Sequence, residues 1–143
     1  MSLNVLVVDD SATMRKMIIR TLHLSGLPVG EILEAANGRE GLLMLTKHSV
    51  DLALVDINMP EMNGEEMLHK LRSNPTHRNL PVVIVSTEGS STRINALEAQ
   101  SLVRFVHKPF TPEQLSRVVN EMTGGAYGEE SGTGIGEVSG PDF

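Results

Sequence analysis

At 143 residues, with a formal net charge of −6 and no Cys, the chain is long enough for one domain with a buried core and cannot form disulfides or thiolate metal sites. The acidic charge, together with only one Tyr, three Phe and no Trp, argues against a surface that binds nucleic acid directly. The longest apolar runs have the length of strands and no signal peptide precedes them, so we expect a cytoplasmic protein that does not enter a membrane.

Two strand-and-helix units are predicted in the first part of the chain. Val5 to Val8 is a fully apolar run, typical of a central parallel strand that is covered on both faces. Ser11 then caps a helix whose apolar residues have helical spacing. Its stripe consists of Met14, Met17, Ile18, Thr21 and Leu22, with Arg15, Lys16 and Arg20 off the stripe. Ile32 to Ala35 is the second strand, and Asn37 with Glu40 opens a second helix.

The middle of the chain repeats this pattern. Leu52 to Val55 is the third strand, and Asn63-Gly64 marks the turn before a third helix. The stripe of that helix is Gly64, Met67, Leu68 and Leu71. The helix is expected to end near Asn74-Pro75, because a helix rarely continues through a proline. Val82 to Val85 is the fourth strand.

The last two units differ in how well the sequence specifies them. The fourth helix, after Ser91, has only Ile94 and Leu97 as large apolar residues, so we expect it to be the least firmly anchored. Val103 to His107 is the fifth strand. The fifth helix has a hydrophobic staple, an N-cap, a first-turn proline and a capping box. These signals come from Phe110, Thr111, Pro112, Gln114 and Leu115, and the stripe continues with Val118, Val119 and Met122.

Five strands alternating with five helices predict an α/β fold, since right-handed crossovers place helices on both faces of a five-stranded parallel sheet. The predicted domain covers residues 1–122. Residues 123–143 are rich in Gly and acidic residues and contain no basic residue, a composition that predicts a flexible tail.

Polar residues follow four of the predicted strands. Asp9 and Asp10 follow the first strand, Asp56 the third, Ser86 the fourth and Lys108 the fifth. The carboxyl ends of parallel strands line one crevice, so these side chains should converge. Three carboxylates repel one another unless a hard cation joins them, and Mg²⁺ prefers oxygen ligands and a substrate phosphate. The residues therefore predict a magnesium-dependent phosphoryl site.

These residues and their neighbours resemble a known family, the receiver domain of two-component response regulators. The resemblance covers about residues 3 to 122 and is greatest to the single-domain chemotaxis regulators. The matching segments are Val7-Val8-Asp9-Asp10-Ser11, Val55-Asp56-Ile57-Asn58-Met59-Pro60 with Asn63-Gly64, Pro81-Val82-Val83-Ile84-Val85-Ser86, and Lys108-Pro109-Phe110. It implies a flavodoxin-like (βα)5 three-layer sandwich with strand order 2-1-3-4-5. Ala99-Gln100-Ser101 departs from the small Gly-Ala turn of many receivers, so the connection into the fifth strand is expected to differ.

By this resemblance, Asp56 is the phosphoacceptor, which attacks a phosphohistidine of a sensor histidine kinase to form an acyl phosphate. Asp10 and Asp56 would ligate Mg²⁺ directly, together with the backbone carbonyl of Asn58. Asp9 would act through a water molecule. Catalysis of phosphoryl transfer consists mainly of positioning and of cationic stabilisation of the equatorial oxygens, which Mg²⁺ and an ammonium group supply.

The resemblance also assigns roles to three further residues. Lys108 would pair with the phosphoacceptor carboxylate and then with the phosphoryl group, and Ser86 would move to bond a phosphoryl oxygen. Phe105, three residues before Lys108, occupies the aromatic switch position of the family. The alternative that Phe105 simply fills the core stays open. A downstream protein target is expected to bind the fourth helix, fifth strand and fifth helix.

Three functions are compatible with the site. The favoured one is a phosphorylation switch, not an enzyme in its own right, acting in chemotaxis or motility as a monomer or as a phosphorylation-dependent dimer. The second is a phosphorelay intermediate or phosphate sink. The third is a hydrolase of the haloacid dehalogenase type, which expects Asp-x-Asp after its first strand, whereas Asp56-Ile57-Asn58 follows the third. A P-loop nucleotide site is excluded because the sequence lacks the motif.

Overall fold

The apolar runs and the capped helical segments fold into five strands and five helices that alternate along the chain. The computed structural model describes residues 2–87 and 91–124. The elements are β1 (Leu3–Val8), α1 (Ala12–Leu24), β2 (Val29–Ala35), α2 (Gly38–Lys47), β3 (Leu52–Val55), α3 (Gly64–Ser73), β4 (Val82–Ser86), α4 (Ser91–Glu98), β5 (Val103–His107) and α5 (Pro112–Thr123).

The five strands form one parallel sheet in the order β2-β1-β3-β4-β5, as the resemblance implied. Helices α1 and α5 pack against one face of the sheet, and α2, α3 and α4 pack against the other. The buried helix residues are Ile18, Leu22, Leu115 and Val119 on the first face, and Leu45, Met67, Leu68, Leu71 and Leu97 on the second. The predicted three-layer α/β/α sandwich is therefore confirmed.

Four helices begin at N-cap residues; the sequence predicted three of them as caps and predicted a turn at the fourth, Asn63. In each case the side-chain oxygen of the cap accepts a hydrogen bond from a backbone N–H three residues later, which satisfies a donor that the helix leaves free. The four caps are Ser11, Asn37, Asn63 and Thr111. At Asn63 and Thr111 the reciprocal bond of a capping box is also present. These caps fix the points at which the chain leaves the carboxyl edge of the sheet.

Some boundaries differ from the prediction. β2 begins at Val29, earlier than predicted, because it is an edge strand that tolerates the exposed Gly30 and Glu31. Met17 does not belong to the buried stripe of α1. It is 59% exposed, while Ile18 and Leu22 are buried against the sheet. α5 continues to Thr123, one residue beyond the predicted end of the domain.

Gly64 brings the start of α3 against the end of β3. Its N–H donates to the Ile57 carbonyl at 2.8 Å. A Cβ at position 64 would collide with the backbone carbonyl of Asp56, so no larger residue fits there without a backbone shift. The glycine thus allows the loop after β3 to fold tightly beneath Asp56.

Helix α4 buries little apolar surface among the described residues, as its sequence predicted. Among its described residues only Leu97 is buried. Arg93 pairs with Glu65 of α3, with Nη2 and Oε1 2.5 Å apart. A Glu98 carboxylate oxygen accepts the Phe105 N–H of β5 at 2.9 Å. Polar contacts at its surface therefore contribute much of what fixes this helix.

The turn from α4 into β5 contains Leu102 in the left-handed region, with φ of 59°. Arg72, near the end of α3, donates Nη2 hydrogen bonds to the carbonyls of Ser101 at 3.0 Å and Leu102 at 3.3 Å. A guanidinium thus holds a turn that contains no glycine.

None of the helices within residues 2–87 and 91–124 is long and apolar enough to span a bilayer.

Candidate functional site

The predicted site residues meet at the carboxyl edge of the sheet. Asp9 and Asp10 follow β1, Asp56 follows β3, Ser86 ends β4, and Lys108 follows β5. One carboxylate oxygen from each of the three aspartates lies within 4.8 Å of the others. Because β1 lies between β2 and β3, the acidic residues of β1 and β3 belong to neighbouring strands, as convergence requires.

Lys108 contributes a cation to this acidic cluster. Its Nζ is 2.9 Å from Asp9 Oδ2 and 3.8 Å from Asp56 Oδ1, with the side chain only 11% exposed. The closer partner is therefore Asp9, whereas the resemblance emphasised a contact with Asp56. One ammonium group is shared by two carboxylates in a poorly solvated position.

The two adjacent aspartates have different environments. Asp9 is buried, and its Oδ1 accepts the Ser11 N–H at 2.9 Å while its Oδ2 receives Lys108. Asp10 is exposed. Within the described ranges, its carboxylate has no hydrogen-bond or ion-pair partner. Asp9 thus has both oxygens engaged, while the oxygens of Asp10 are available to a ligand.

Asp56 is a buried carboxylate that is only partly compensated. Its Oδ1 accepts the Ile57 N–H at 2.8 Å. Burial raises the pKa of the Asp56 carboxyl above its ordinary value of 3.8; Lys108 lowers this pKa, the Asp9 carboxylate raises it, and Ile57 and the Ser86 side chain lower it. Desolvation has the largest effect, so the net pKa shift is upward.

The donor set fits Mg²⁺. The three side chains offer only carboxylate oxygens, which are the ligands that this hard cation prefers. The raised pKa of Asp56 shows that Lys108 alone does not compensate the buried charge. A divalent cation among these oxygens would remove that deficit, because an opposite charge nearby favours the ionised carboxylate.

The raised pKa of Asp56 predicts that Asp56→Asn increases the free energy of unfolding of the metal-free protein at neutral pH. The pKa of this carboxyl is higher in the folded state than its ordinary value of 3.8. Below pH 3.8 the group is protonated in both states and costs no stability, whereas the folded state loses stability as the pH rises through the raised pKa. The two proteins should therefore be equally stable at low pH and diverge as the pH rises. Urea unfolding in EDTA at several pH values measures this difference.

Asp51→Asn is the matched control, since Asp51 precedes β3 at the opposite edge of the sheet and accepts the Asn4 N–H. An Asn side chain can still accept that hydrogen bond. If Asp56→Asn is less stable than the unmodified chain at neutral pH, the electrostatic account is contradicted.

The predicted roles of Ser86, Phe105 and Asn58 stay predictions, and the structure gives their surroundings. Ser86 is 1% exposed at the end of β4 and reaches Asp56 through its side chain. Phe105 is half-buried and packs against the core beneath α4. Asn58 is exposed in the loop two residues after Asp56. The half-buried position of Phe105 is compatible with core filling and with a switch.

Arg15 is a residue of the site that the sequence pattern did not reveal. It lies off the predicted apolar stripe of α1, yet its side chain is only 16% exposed. Its Nη1 donates to the Asp9 carbonyl at 2.6 Å, and its Nε donates to Glu34 at 2.8 Å. No local signal marks this role, because its partners lie in the turn after β1 and in β2.

A separate cavity of about 280 Å³ lies on the other side of Lys108, between α1 and the loop before α5. Met14, Met17, Ile18 and Phe110 line much of it, so its wall is largely apolar. An anion such as phosphate would be poorly solvated there. This cavity is therefore a poor candidate for the predicted phosphoryl site.

Comparisons with known proteins agree with this geometry. Residues 5–120 match the model of the response regulator receiver domain. A chemotaxis protein CheY homolog of Campylobacter jejuni is 37% identical over 128 residues, covering 89% of this chain and 97% of that protein. Chemotaxis protein CheY1 of Helicobacter pylori is 35% identical and covers 85% of this chain and 98% of that protein. The structure of chemotaxis response regulator CheY4 of Vibrio cholerae has a TM-score of 0.74 at 31% identity, over 85% of this chain and 99% of that one.

Proposed function

Because the chain belongs to the response regulator receiver domain family, we propose that it is a phosphorylation switch of a two-component system with Asp56 as the phosphoacceptor. One observation carries this proposal: Asp56 is a buried carboxylate at the end of β3, beside two further carboxylates and 3.8 Å from Lys108. A nucleophile, a cation and a set of oxygen ligands are thus close together.

The proposed reaction is a direct phosphoryl transfer. A carboxylate oxygen of Asp56 attacks the phosphorus of a phosphohistidine on a sensor histidine kinase. The P–O bond forms as the P–N bond breaks, and the imidazole leaves with the electron pair. The product is an aspartyl acyl phosphate. Lys108 stabilises the negative charge on the equatorial oxygens, and Ser86 supplies a hydroxyl to one of them.

Mg²⁺ is the proposed cofactor, held directly by Asp10, Asp56 and the Asn58 carbonyl and through water by Asp9. When bound, it would neutralise charge on the phosphoryl oxygens. The different environments of the adjacent aspartates support this division. Both oxygens of Asp9 are already engaged by Ser11 and Lys108, whereas those of Asp10 are available.

Phosphoramidate provides a test, because it carries the P–N bond of a phosphohistidine in a small molecule. Incubation with Mg²⁺ should add one phosphoryl group to the protein, and EDTA should prevent the addition. Intact-mass spectrometry measures both results. Steady release of inorganic phosphate without any phosphorylated protein would instead favour the haloacid dehalogenase type of hydrolase, which membership of the receiver family disfavours.

The proposed partners are a sensor histidine kinase and a downstream protein that binds α4, β5 and α5. The names of the similar proteins support a place in chemotaxis. A phosphorelay intermediate would use the same chemistry and pass the phosphoryl group to another histidine domain. We propose a cytoplasmic monomer, with dimerisation on phosphorylation as the alternative.

Activation should change hydrogen exchange between Ser86 and Phe105. Ser86 would move toward the phosphoryl oxygens and Phe105 would settle inward, which shifts a pre-existing equilibrium of α4. Leu97 is the one buried residue of α4 in the described part of the chain, and the helix makes polar contacts through Arg93 and Glu98, so we expect this segment to move most easily. Exchange with and without beryllofluoride and Mg²⁺ measures the change; residues 88–90 in this interval lie outside the described residues.

The interior of α1, around Ile18 and Leu22, is the internal reference and should keep its exchange rates. Both residues are buried against the sheet, away from α4. A change confined to the predicted tail beyond Thr123, whose residues from 125 on lie outside the described ranges, would contradict an output surface on α4, β5 and α5.

A further inference from the structure

Arg15 connects three elements next to the acidic cluster. It belongs to the first turn of α1, donates to the carbonyl oxygen of Asp9 at 2.6 Å, and pairs with Glu34 of β2 at 2.8 Å. The Asp9 carbonyl belongs to the peptide unit that joins Asp9 to Asp10. A hydrogen bond to this oxygen therefore restrains the plane of that peptide and the direction in which the Asp10 side chain leaves the backbone.

Asp10 depends on this backbone restraint more than its neighbours do. Asp9 and Asp56 are held by hydrogen bonds to their carboxylate oxygens. The carboxylate of Asp10 has no such partner among the described residues. The direction of this exposed carboxylate is then set by its backbone and by the ligand that it binds.

We propose that Arg15, held by Glu34, is a positioning residue that directs the Asp10 carboxylate toward the metal. The inference rests on the proposed function, since it assumes that Asp10 is a Mg²⁺ ligand. In this proposal Arg15 acts through the Asp9 carbonyl and is not itself a ligand of the cation.

The sign of the effect on Mg²⁺ binding separates this role from simple electrostatics. A guanidinium near a cation site repels the cation, so removing its charge should strengthen Mg²⁺ binding. Removing a positioning contact should weaken it. Replacement of an outer-sphere partner of a metal ligand typically costs about tenfold or more in metal affinity. The opposing charge effect is smaller, because Glu34 lies 2.8 Å from Arg15 and offsets much of the guanidinium charge.

The test is Mg²⁺ titration of the full chain carrying Arg15→Ala, Arg15→Lys or Arg20→Ala, with the dissociation constant as the readout. We expect Arg15→Ala to bind Mg²⁺ about tenfold more weakly. Arg15→Lys should recover part of the affinity, because an ammonium can donate to the same carbonyl. Arg20→Ala removes an exposed charge from the same helix and should change little. Binding by Arg15→Ala that is as tight as in the unmodified protein, or tighter, would overturn the proposal.

Glu34→Ala provides a second variant that leaves Arg15 in place but removes its anchor. Glu34 is 45% exposed and the ion pair is partly solvated, so its loss should change the stability of the fold little. Its Mg²⁺ affinity should fall relative to Glu31→Ala, a control that removes an exposed acid from the same strand. If Arg15→Ala does not fold, equal affinities of the two glutamate variants would overturn the proposal.

Mg²⁺ binding and phosphorylation of the unmodified protein distinguish a failure of this inference from a failure of the proposed function. If it binds Mg²⁺ and becomes phosphorylated while Arg15→Ala retains full affinity, only the role of Arg15 is wrong. If the unmodified protein neither binds Mg²⁺ nor accepts a phosphoryl group, the proposed function itself fails.

Discussion

Asp56→Asn should abolish phosphorylation of the chain by acetyl phosphate in the presence of Mg²⁺. The amide removes the carboxylate nucleophile, and neither Asp9 nor Asp10 can replace it. Asp9 has both oxygens occupied by Ser11 and Lys108, and the exposed Asp10 has no cation within hydrogen-bonding distance among the described residues. Intact-mass measurement should show one added phosphoryl group on the unmodified chain and none on Asp56→Asn.

Asp51→Asn is the matched control for this experiment. Asp51 immediately precedes the strand that Asp56 follows, so the two aspartates lie at opposite ends of β3. The control should be phosphorylated as fully as the unmodified protein. An unchanged yield in Asp56→Asn would show that another residue accepts the phosphoryl group.

Asp10→Asn should weaken Mg²⁺ binding, whereas Lys108→Ala should leave it unchanged or strengthen it. The first change removes a proposed anionic ligand, with an expected loss of at least about tenfold by comparison with outer-sphere changes. The second removes an ammonium that repels the cation and frees an oxygen of Asp9, and charges about 4 Å apart interact by roughly 1 kcal/mol even in water. Titration of each variant with Mg²⁺ measures the two effects separately.

Lys70→Ala is a suitable control, because it removes the same charge from an exposed position on α3. It should have nearly the affinity of the unmodified protein. Equal losses of affinity in Asp10→Asn and Lys108→Ala would show that metal binding and phosphoryl stabilisation are not divided between these residues as proposed.

The sequence predicts most of the fold because its signals are local. The stripe of α3 follows from residues within one or two helical turns, and the same is true of the capping box at Thr111. The four-residue strand β3 is fully buried, and its apolar run marks it from end to end. The early start of β2 was missed because an edge strand need not be apolar on both faces.

The composition of the site was predictable, but its pairing was not. Their positions after strands predict that Asp9, Asp56 and Lys108 meet at one edge of a parallel sheet. Those positions do not predict which of the groups are in contact. Lys108 lies closer to Asp9, from which it is 99 residues distant in sequence, and that choice depends on side-chain packing. Arg15 was missed for the same reason, since its contacts with the Asp9 carbonyl and Glu34 cross between elements.

Chemical trapping of the phosphorylated residue tests the central claim most directly. Borohydride reduces an acyl phosphate to an alcohol, so an aspartyl phosphate is converted into homoserine, which peptide mass spectrometry locates in the chain. After treatment with acetyl phosphate and Mg²⁺, we expect homoserine at position 56 and at no other aspartate. Homoserine at position 9 or 10, or a phosphorylated protein that yields no homoserine at all, would contradict the assignment of Asp56 as the phosphoacceptor.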